Sequence, residues 1–312
     1  MTRHTDLLLT ALAPVVWGST YYVTTEWLPG VHPLTLAMLR ALPAGLLLMA
    51  LVRQLPARRQ LGRIVLLGTL NFAVFWSLLF VAAQRLPGGV AAMLGSSQAL
   101  LVVLLARGWL GTPLHTGSVV AAVAGAVGVG LLVLGPSAAL DPLGLAAGIG
   151  SAAAMAAGTV LSRKWQWGAA SLTFTAWQLA AGGLVLLPVA ALVAPPWPAL
   201  RPAHVGGLLY LGLIGAAMTY FLWFRGIARL GPGPVSLLAL LSPIVAVVIG
   251  WAMLDQSLSP AQIVGALVVL GSVVAGQSVA MQRQPATAHR PGRGSGRPAG
   301  RPPVSAHRAT SP

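Results

Sequence analysis

The chain has 312 residues, 56% of them apolar and only 7% charged, with no cysteine and a formal net charge of +15. So apolar a composition leaves too few polar groups to cover a soluble domain, and the missing cysteines exclude disulfides and thiolate metal sites. All four carboxylates (Asp6, Glu26, Asp141, Asp255) and eighteen of the nineteen Lys and Arg fall between or beyond ten apolar segments; Arg40 alone lies inside one. A charge in hydrocarbon is costly, so this spacing predicts an all-α membrane protein of ten spans joined by short loops.

A span needs roughly 20 apolar residues. The first five are predicted at 7–25, 33–52, 64–83, 88–106 and 116–134, and the second five at 142–161, 170–193, 205–224, 235–253 and 261–280. The first reads as a retained helix rather than a signal peptide, because its apolar run is long and no small-residue cleavage site ends it. It carries Trp17 and Tyr21 one turn apart, with Thr20 beside them. In the second span Arg40 stands seven residues past Pro33, about 10 Å from the end of the helix. It can grip a substrate carboxylate or bond to carbonyls of a neighbouring helix. The third span repeats the aromatic spacing with Trp76 and Phe80, and the eighth with Tyr220 and Phe224. Such faces suit a cavity for apolar or aromatic groups, although aromatics also face lipid at interfaces. The fourth span holds Gly95, Ser97 and Gln98 near its middle, and the ninth holds Ser242 and Pro243 at matching depth. Proline removes a backbone hydrogen bond, so Pro243 and Gly95 are candidate hinges beside substrate-contacting polar groups. Trp109, Trp165, Trp167 and Trp197 are expected in interfacial loops, and the six histidines are scattered over loops and tails.

With the N-terminus inside, sixteen Lys and Arg fall on the cytoplasmic side and two, Arg85 and Arg201, outside, which predicts both termini in the cytoplasm. Six of the sixteen occupy a Pro/Gly/Ser-rich stretch at 281–312, expected to be a disordered basic cytoplasmic tail beside anionic lipid rather than a nucleic-acid binder.

The halves match in order. Gly68, Trp76, Phe80, Arg85 and Leu86 fall on Gly212, Tyr220, Phe224, Arg229 and Leu230 at a shift of 144. Arg40 falls on Gln178 at a shift of 138, and Ser97 on Ser242 at 145. Five spans per half make the repeats inverted, dividing the chain at 1–135 and 136–280, with a site expected at mid-membrane between them.

Several short motifs carry a family resemblance: Trp17-Gly18-Ser19, Leu39-Arg40, Leu86-Pro87, Leu241-Ser242-Pro243-Ile244, Leu254-Asp255 and Gln262-Ile263-Val264-Gly265-Ala266. Over about residues 7–280 the chain resembles the EamA-type drug/metabolite transporters, and within them most the YddG-type amino-acid exporters. Asp255 stands where that family often has Glu, and Ser97-Gln98 where the first half often has proline. The resemblance implies a multi-pass bacterial inner-membrane transporter exporting small amphiphilic metabolites, amino acids with aromatic or large apolar side chains foremost. A broad drug/metabolite exporter with proton coupling is the alternative, and a lipid-modifying membrane enzyme a remote one. The substrate-binding candidates are Trp17, Thr20, Tyr21, Arg40, Trp76, Phe80, Ser97, Gln98, Tyr220, Phe224 and Ser242. No catalytic residue, cofactor, metal or nucleic acid is expected; the partners are a small molecule and membrane lipid, in a monomer or homodimer. No Asp, Glu or His lies within a span, which points to facilitated transport without obligatory proton exchange.

Overall fold

The computed structural model describes residues 2–85, 94–133, 141–195, 201–253 and 259–281. These residues form ten helical rods and no strand. The first, α1 (Arg3–Gly18), continues through Thr20–Tyr22 into a π-helical turn at Val23–Trp27. Next come α2 (Pro33–Val52) and α3, which is built of Arg58–Gly68, a π-helical stretch Thr69–Val74, and Phe75–Arg85. The half closes with α4 (Gln98–Leu110) and α5 (Thr116–Val133). The second half begins with α6 (Pro142–Lys164) and α7 (Ser171–Val193). Its third rod, α8, comprises Pro202–Leu209, a π-helical Tyr210–Met218 and Thr219–Leu230. Pro232–Leu238 and Leu241–Met253 form α9, and α10 is Pro260–Met281. Seven of the described helices are long and apolar enough to cross a membrane, while α4 and α5 are shorter apolar helices.

Sequence chemistry sets many of the starts. Proline opens α2, α6, α8, α9 and α10, where its missing N–H costs nothing and its φ is already helical. Asp141 caps α6 by accepting from the Gly144 N–H at 2.9 Å. At α10, Ser259 and Gln262 form a reciprocal box: Ser259 N donates to Gln262 Oε1 at 2.8 Å and Gln262 N donates to Ser259 Oγ at 3.2 Å.

The helices exceed several predicted limits. Those of α3 and α8 extend past 64–83 and 205–224 because Arg58, Arg59, Arg225 and Arg229 continue the helix beyond the apolar stretch. An apolar run marks the membrane-facing length of a helix and not its ends. For the same reason Trp109 lies in the last turn of α4 rather than in a loop, and His204 is buried in the first turn of α8. The fourth span is described only from Leu94, where it runs to Leu110. Leu86, Pro87, Leu254, Asp255, Trp197 and the tail from 282 lie outside the described residues, as does the Tyr21 side chain.

The rods pair across the halves. Helix α2 packs on α7 and α5 on α10, while α1 lies against α8 and α9, and α6 against α3 and α4. Glycines permit the closest crossings: a Cβ on Gly45 would sit 2.3 Å from the Ala180 backbone, and one on Gly183 would sit 2.6 Å from Leu42 Cα. Between α5 and α10 it is Gly117, Gly125 and Gly128 that make room. Gly271 on α10 has open space where its side chain would be. The largest buried cluster sits between α1, α2, α3, α7 and α8, and the outer faces carry exposed Leu and Val such as Leu8, Leu51, Leu192 and Leu267.

Candidate functional site

Three of the predicted aromatics meet at one point. The Trp17 ring lies 4.9 Å from Tyr220, and Trp76 lies 6.0 Å from the same phenol ring. Phe72 and Trp223, which sequence reasoning missed, complete the group, 4.6 Å from Tyr220 and 4.9 Å from Trp17 respectively. Phe224 joins at 5.9 Å from Tyr220, while Phe80 is partly buried at the margin. The rings are tilted or edge-to-face, the arrangement their quadrupoles favour. Trp17 is fixed by its Nε1–H, which donates to Thr219 Oγ1 at 2.9 Å. The Nε1–H of Trp223 is fully buried with no hydrogen-bond partner among the described residues.

Arg40 sits beside this cluster, buried, with its guanidinium 4.8 Å over the Trp76 ring. Its Nη2 donates to the Gly215 carbonyl at 2.7 Å, and the Thr219 hydroxyl donates to the same oxygen at 2.9 Å. Gly215 lies in the π-helical stretch of α8, where the widened turn weakens the regular ladder and leaves a carbonyl to be satisfied by side chains. Of the two roles open to Arg40 in the sequence, the structure displays the bond to a neighbouring helix.

On the opposite side of α3, Asn71 forms a buried polar network. Its Nδ2 donates to Gln178 Oε1 at 2.7 Å and to Ser162 Oγ at 3.2 Å, and Ser162 Oγ in turn donates to Gln178 Oε1 at 3.3 Å. Asn71 also occupies a π-helical stretch, that of α3, and its Oδ1 is unpartnered among the described residues. It is the only asparagine in the chain and stands mid-way along an apolar span, a signal the sequence offered.

The remaining candidates lie apart from the aromatic group. Gln98 opens α4, 8% exposed, with its Nε2 unpartnered among the described residues. Gly148 touches Leu94 just before it, so Gln98 belongs to the contact between α4 and α6, where Ser151 Oγ is likewise buried without a partner. The Ser97 hydroxyl bonds back to the Leu94 carbonyl at 2.6 Å, and Gly95 has open space where a side chain would stand. In α9 the helix breaks at Ala239 and Leu240, so Pro243 lies in the first turn of the segment that follows, beside a partly buried Ser242. Thr20 Oγ1 is buried and unpartnered among the described residues. The described residues contain no group of three or more His, Asp or Glu that could hold a metal ion.

Ion pairs close the two ends of the bundle. Asp6 accepts from Arg225 Nη2 at 2.5 Å and lies 3.4 Å from Arg229 Nη1, while Arg85 lies 3.4 Å from Asp141. Desolvation pushes the Asp6 carboxyl up, but the hydrogen bond and charge of Arg225, helped by Arg229, outweigh it and hold the group below its ordinary range.

The model of the EamA-like transporter family matches residues 5–134 and again 142–275. The chain belongs to that family. A similar protein is PecM of Dickeya dadantii, 45% identical over 271 residues that cover 86% of this chain and 91% of PecM. The inner membrane transporter YedA of Escherichia coli is 27% identical, covering 83% and 86% of the two chains. The chloroplastic WAT1-related protein At3g02690 of Arabidopsis thaliana is 29% identical, covering 82% of this chain and 66% of its own. A crystal structure superposes with a TM-score of 0.76 at 19% identity, covering 90% of this chain and all of the other, which establishes the shared fold alone. As an EamA-like protein the chain is a multi-pass membrane transporter.

Proposed function

We propose that the chain is an inner-membrane carrier exporting small amphiphilic metabolites, chiefly amino acids with aromatic or large apolar side chains, by alternating access between two inverted five-helix repeats. The repeats are 1–135 and 136–280, followed by a basic tail at 281–312, and both termini are cytoplasmic. The observation that carries the cargo class is the ring cluster of Trp17, Phe72, Trp76, Tyr220 and Trp223 between the halves. It has a buried indole N–H, unpartnered among the described residues, that a cargo carboxylate or carbonyl would satisfy. A buried polar atom without a partner costs about 1–3 kcal/mol, so a ligand that supplies the missing acceptor gains binding energy there.

The pairing of the helices supports inverted repeats. Arg40 meets Gly215 and Gln178 meets Asn71, and these are equivalent couples, since 40 maps to 178 and 71 to 215 by the same shifts that align the two sequences. Gly45 lies on Ala180 and its mate Gly183 on Leu42, the mate of Ala180. Rocking of one repeat against the other about these crossings would expose the ring cluster to either side.

Proteoliposomes containing the purified protein and loaded with labelled L-tryptophan test the reading. Efflux above protein-free vesicles is expected, reduced about tenfold or more by Trp17→Ala, Trp76→Ala or Tyr220→Ala at normal expression. Efflux that these three changes leave intact would place the cargo elsewhere, and no efflux at all would remove the amino-acid reading.

A further inference from the structure

Among the described residues, ion pairs outside the ring cluster form two groups, one at Asp6 and one at Asp141, which the repeat relates to each other. Arg85 and Arg229 are equivalent at the shift of 144, and Asp6 and Asp141 each stand at the start of the first helix of their half. Asp6 is paired with Arg229, and Asp141 with Arg85. The two couples therefore join the same elements, the first helix of one half and the third helix of the other.

They lie at opposite ends of the bundle. Helices α3 and α8 run antiparallel through the ring cluster, with Phe72 beside Phe224 at 6.4 Å and Trp76 beside Tyr220 at 6.0 Å. Counting outward along each helix from there, Arg85 and Arg229 are separated by about 27 Å at 1.5 Å per residue. That is close to the ~30 Å hydrocarbon thickness of a bilayer.

The two ends are unequal. Asp6 is held by two arginines, and its side chain and that of Arg225 are 9% and 11% exposed. Arg85 and Asp141 are 49% and 34% exposed, and the position equivalent to Arg225 is Val81. Beneath Asp6 the seam is shut, with Thr10 fully buried against Gly226.

We propose that Asp6 with Arg225 and Arg229, and Asp141 with Arg85, are the two alternating latches of the transport cycle, one at each face of the membrane. Opening toward one face requires the couple there to separate while the other holds. The second arginine at the Asp6 end makes that end the tighter latch; in the conformation described here both couples are formed and both seams are closed. This rests on the alternating-access reading above and adds the residues that gate it.

The chain has no cysteine, so single reporters can be placed without removing native thiols. Thr10→Cys reports the Asp6 seam, and Ala82→Cys, at the position equivalent to Gly226 and also buried, reports the Asp141 seam. Labelling by a membrane-impermeant methanethiosulfonate is measured at each reporter, from its own side of the membrane. Asp6→Asn should speed labelling of Thr10→Cys about tenfold and slow that of Ala82→Cys, with Asp6→Glu restoring the original rates. A tenfold change corresponds to ~1.4 kcal/mol between the two conformations. Asp141→Asn keeps the helix cap, because asparagine caps as well as aspartate, and should shift both rates the opposite way by only about two- to threefold, as expected of a half-exposed pair. If Asp6→Asn folds poorly, Arg225→Gln with Arg229→Gln removes the same latch from the other side and should give the same pattern. Unchanged rates, or rates that rise together at both reporters, overturn the proposal. L-tryptophan efflux measured in parallel separates the cases: unaltered labelling in a protein that still transports condemns the latches alone, and loss of efflux from every variant and from wild type condemns the transport reading.

Discussion

Gly158→Ala offers a sharp test of how the halves are joined. A Cβ at Gly158 would stand 2.1 Å from Asn71 Oδ1 and 2.6 Å from its Cγ, far inside contact distance. Asn71 would have to swing away, and its 2.7 Å bond to Gln178 would go with it. Overpacking of this kind costs about 1–3 kcal/mol. A buried side-chain hydrogen bond between membrane helices adds about 0.6–1.7 kcal/mol. The single methyl should therefore destabilise the protein by about 2–4 kcal/mol. Asn71→Ala alone should cost about 1–2 kcal/mol, since Gln178 Oε1 keeps its 3.3 Å contact with Ser162. The decisive variant is the double one, Gly158→Ala with Asn71→Ala. Its new methyl meets no amide, so it should be no less stable than Asn71→Ala and clearly more stable than Gly158→Ala. Reversible unfolding in mixed micelles, titrated with sodium dodecyl sulfate and followed by tryptophan fluorescence, measures all four corners of the cycle. If the losses simply add, or if Gly158→Ala matches wild type, Asn71 does not lie over Gly158 and the α3–α6 register described here is wrong.

Three other expectations are simpler. Gln98→Leu removes a buried amide whose Nε2 is unpartnered among the described residues, and should leave stability unchanged or raise it by up to about 1 kcal/mol; its efflux of L-tryptophan should fall if the amide meets cargo. For Asp6 the folded carboxyl lies below its unfolded value, so its contribution to stability is constant from pH 5 to 8 and is lost only as pH falls below about 4. Asp6→Asn should flatten that acid limb in a stability-against-pH series, and an unchanged limb would refute the pairing. Finally, proteoliposomes with substrate inside should empty equally fast with and without a pH gradient at clamped voltage, because no Asp, Glu or His stands within the predicted spans. Accumulation driven by a pH gradient alone would disprove uncoupled transport.

Much of the architecture was legible in the chain because the bilayer as solvent imposes a crude rule. Charges stay out of hydrocarbon and backbone groups must be satisfied within helices, so apolar runs bounded by arginines mark rods whatever the packing. The match of Trp76 and Arg85 with Tyr220 and Arg229 is the sequence pattern on which the two repeats are proposed. Trp17, Trp76 and Tyr220 could be read as one group from their spacing and repetition. Other features depended on which helix faces which. Arg40 looked as suited to a cargo carboxylate as to a carbonyl, and only the approach of the π-helical turn at Gly215 showed its partner. Phe72 stands one turn before Trp76 on the stripe that Trp76 and Phe80 define, so its mark was present in the sequence, whereas the contact of Trp223 with Trp17 and the partners of Asn71, Ser162 and Gln178 on two other helices, appear only in the packing. Helix ends shifted too, because Arg225 and Arg229 stay helical to reach Asp6, 219 and 223 residues away in sequence. Membrane partition is a local property that each segment carries alone, whereas ring clusters, polar networks and ion pairs join distant segments and are decided only by the tertiary contact itself.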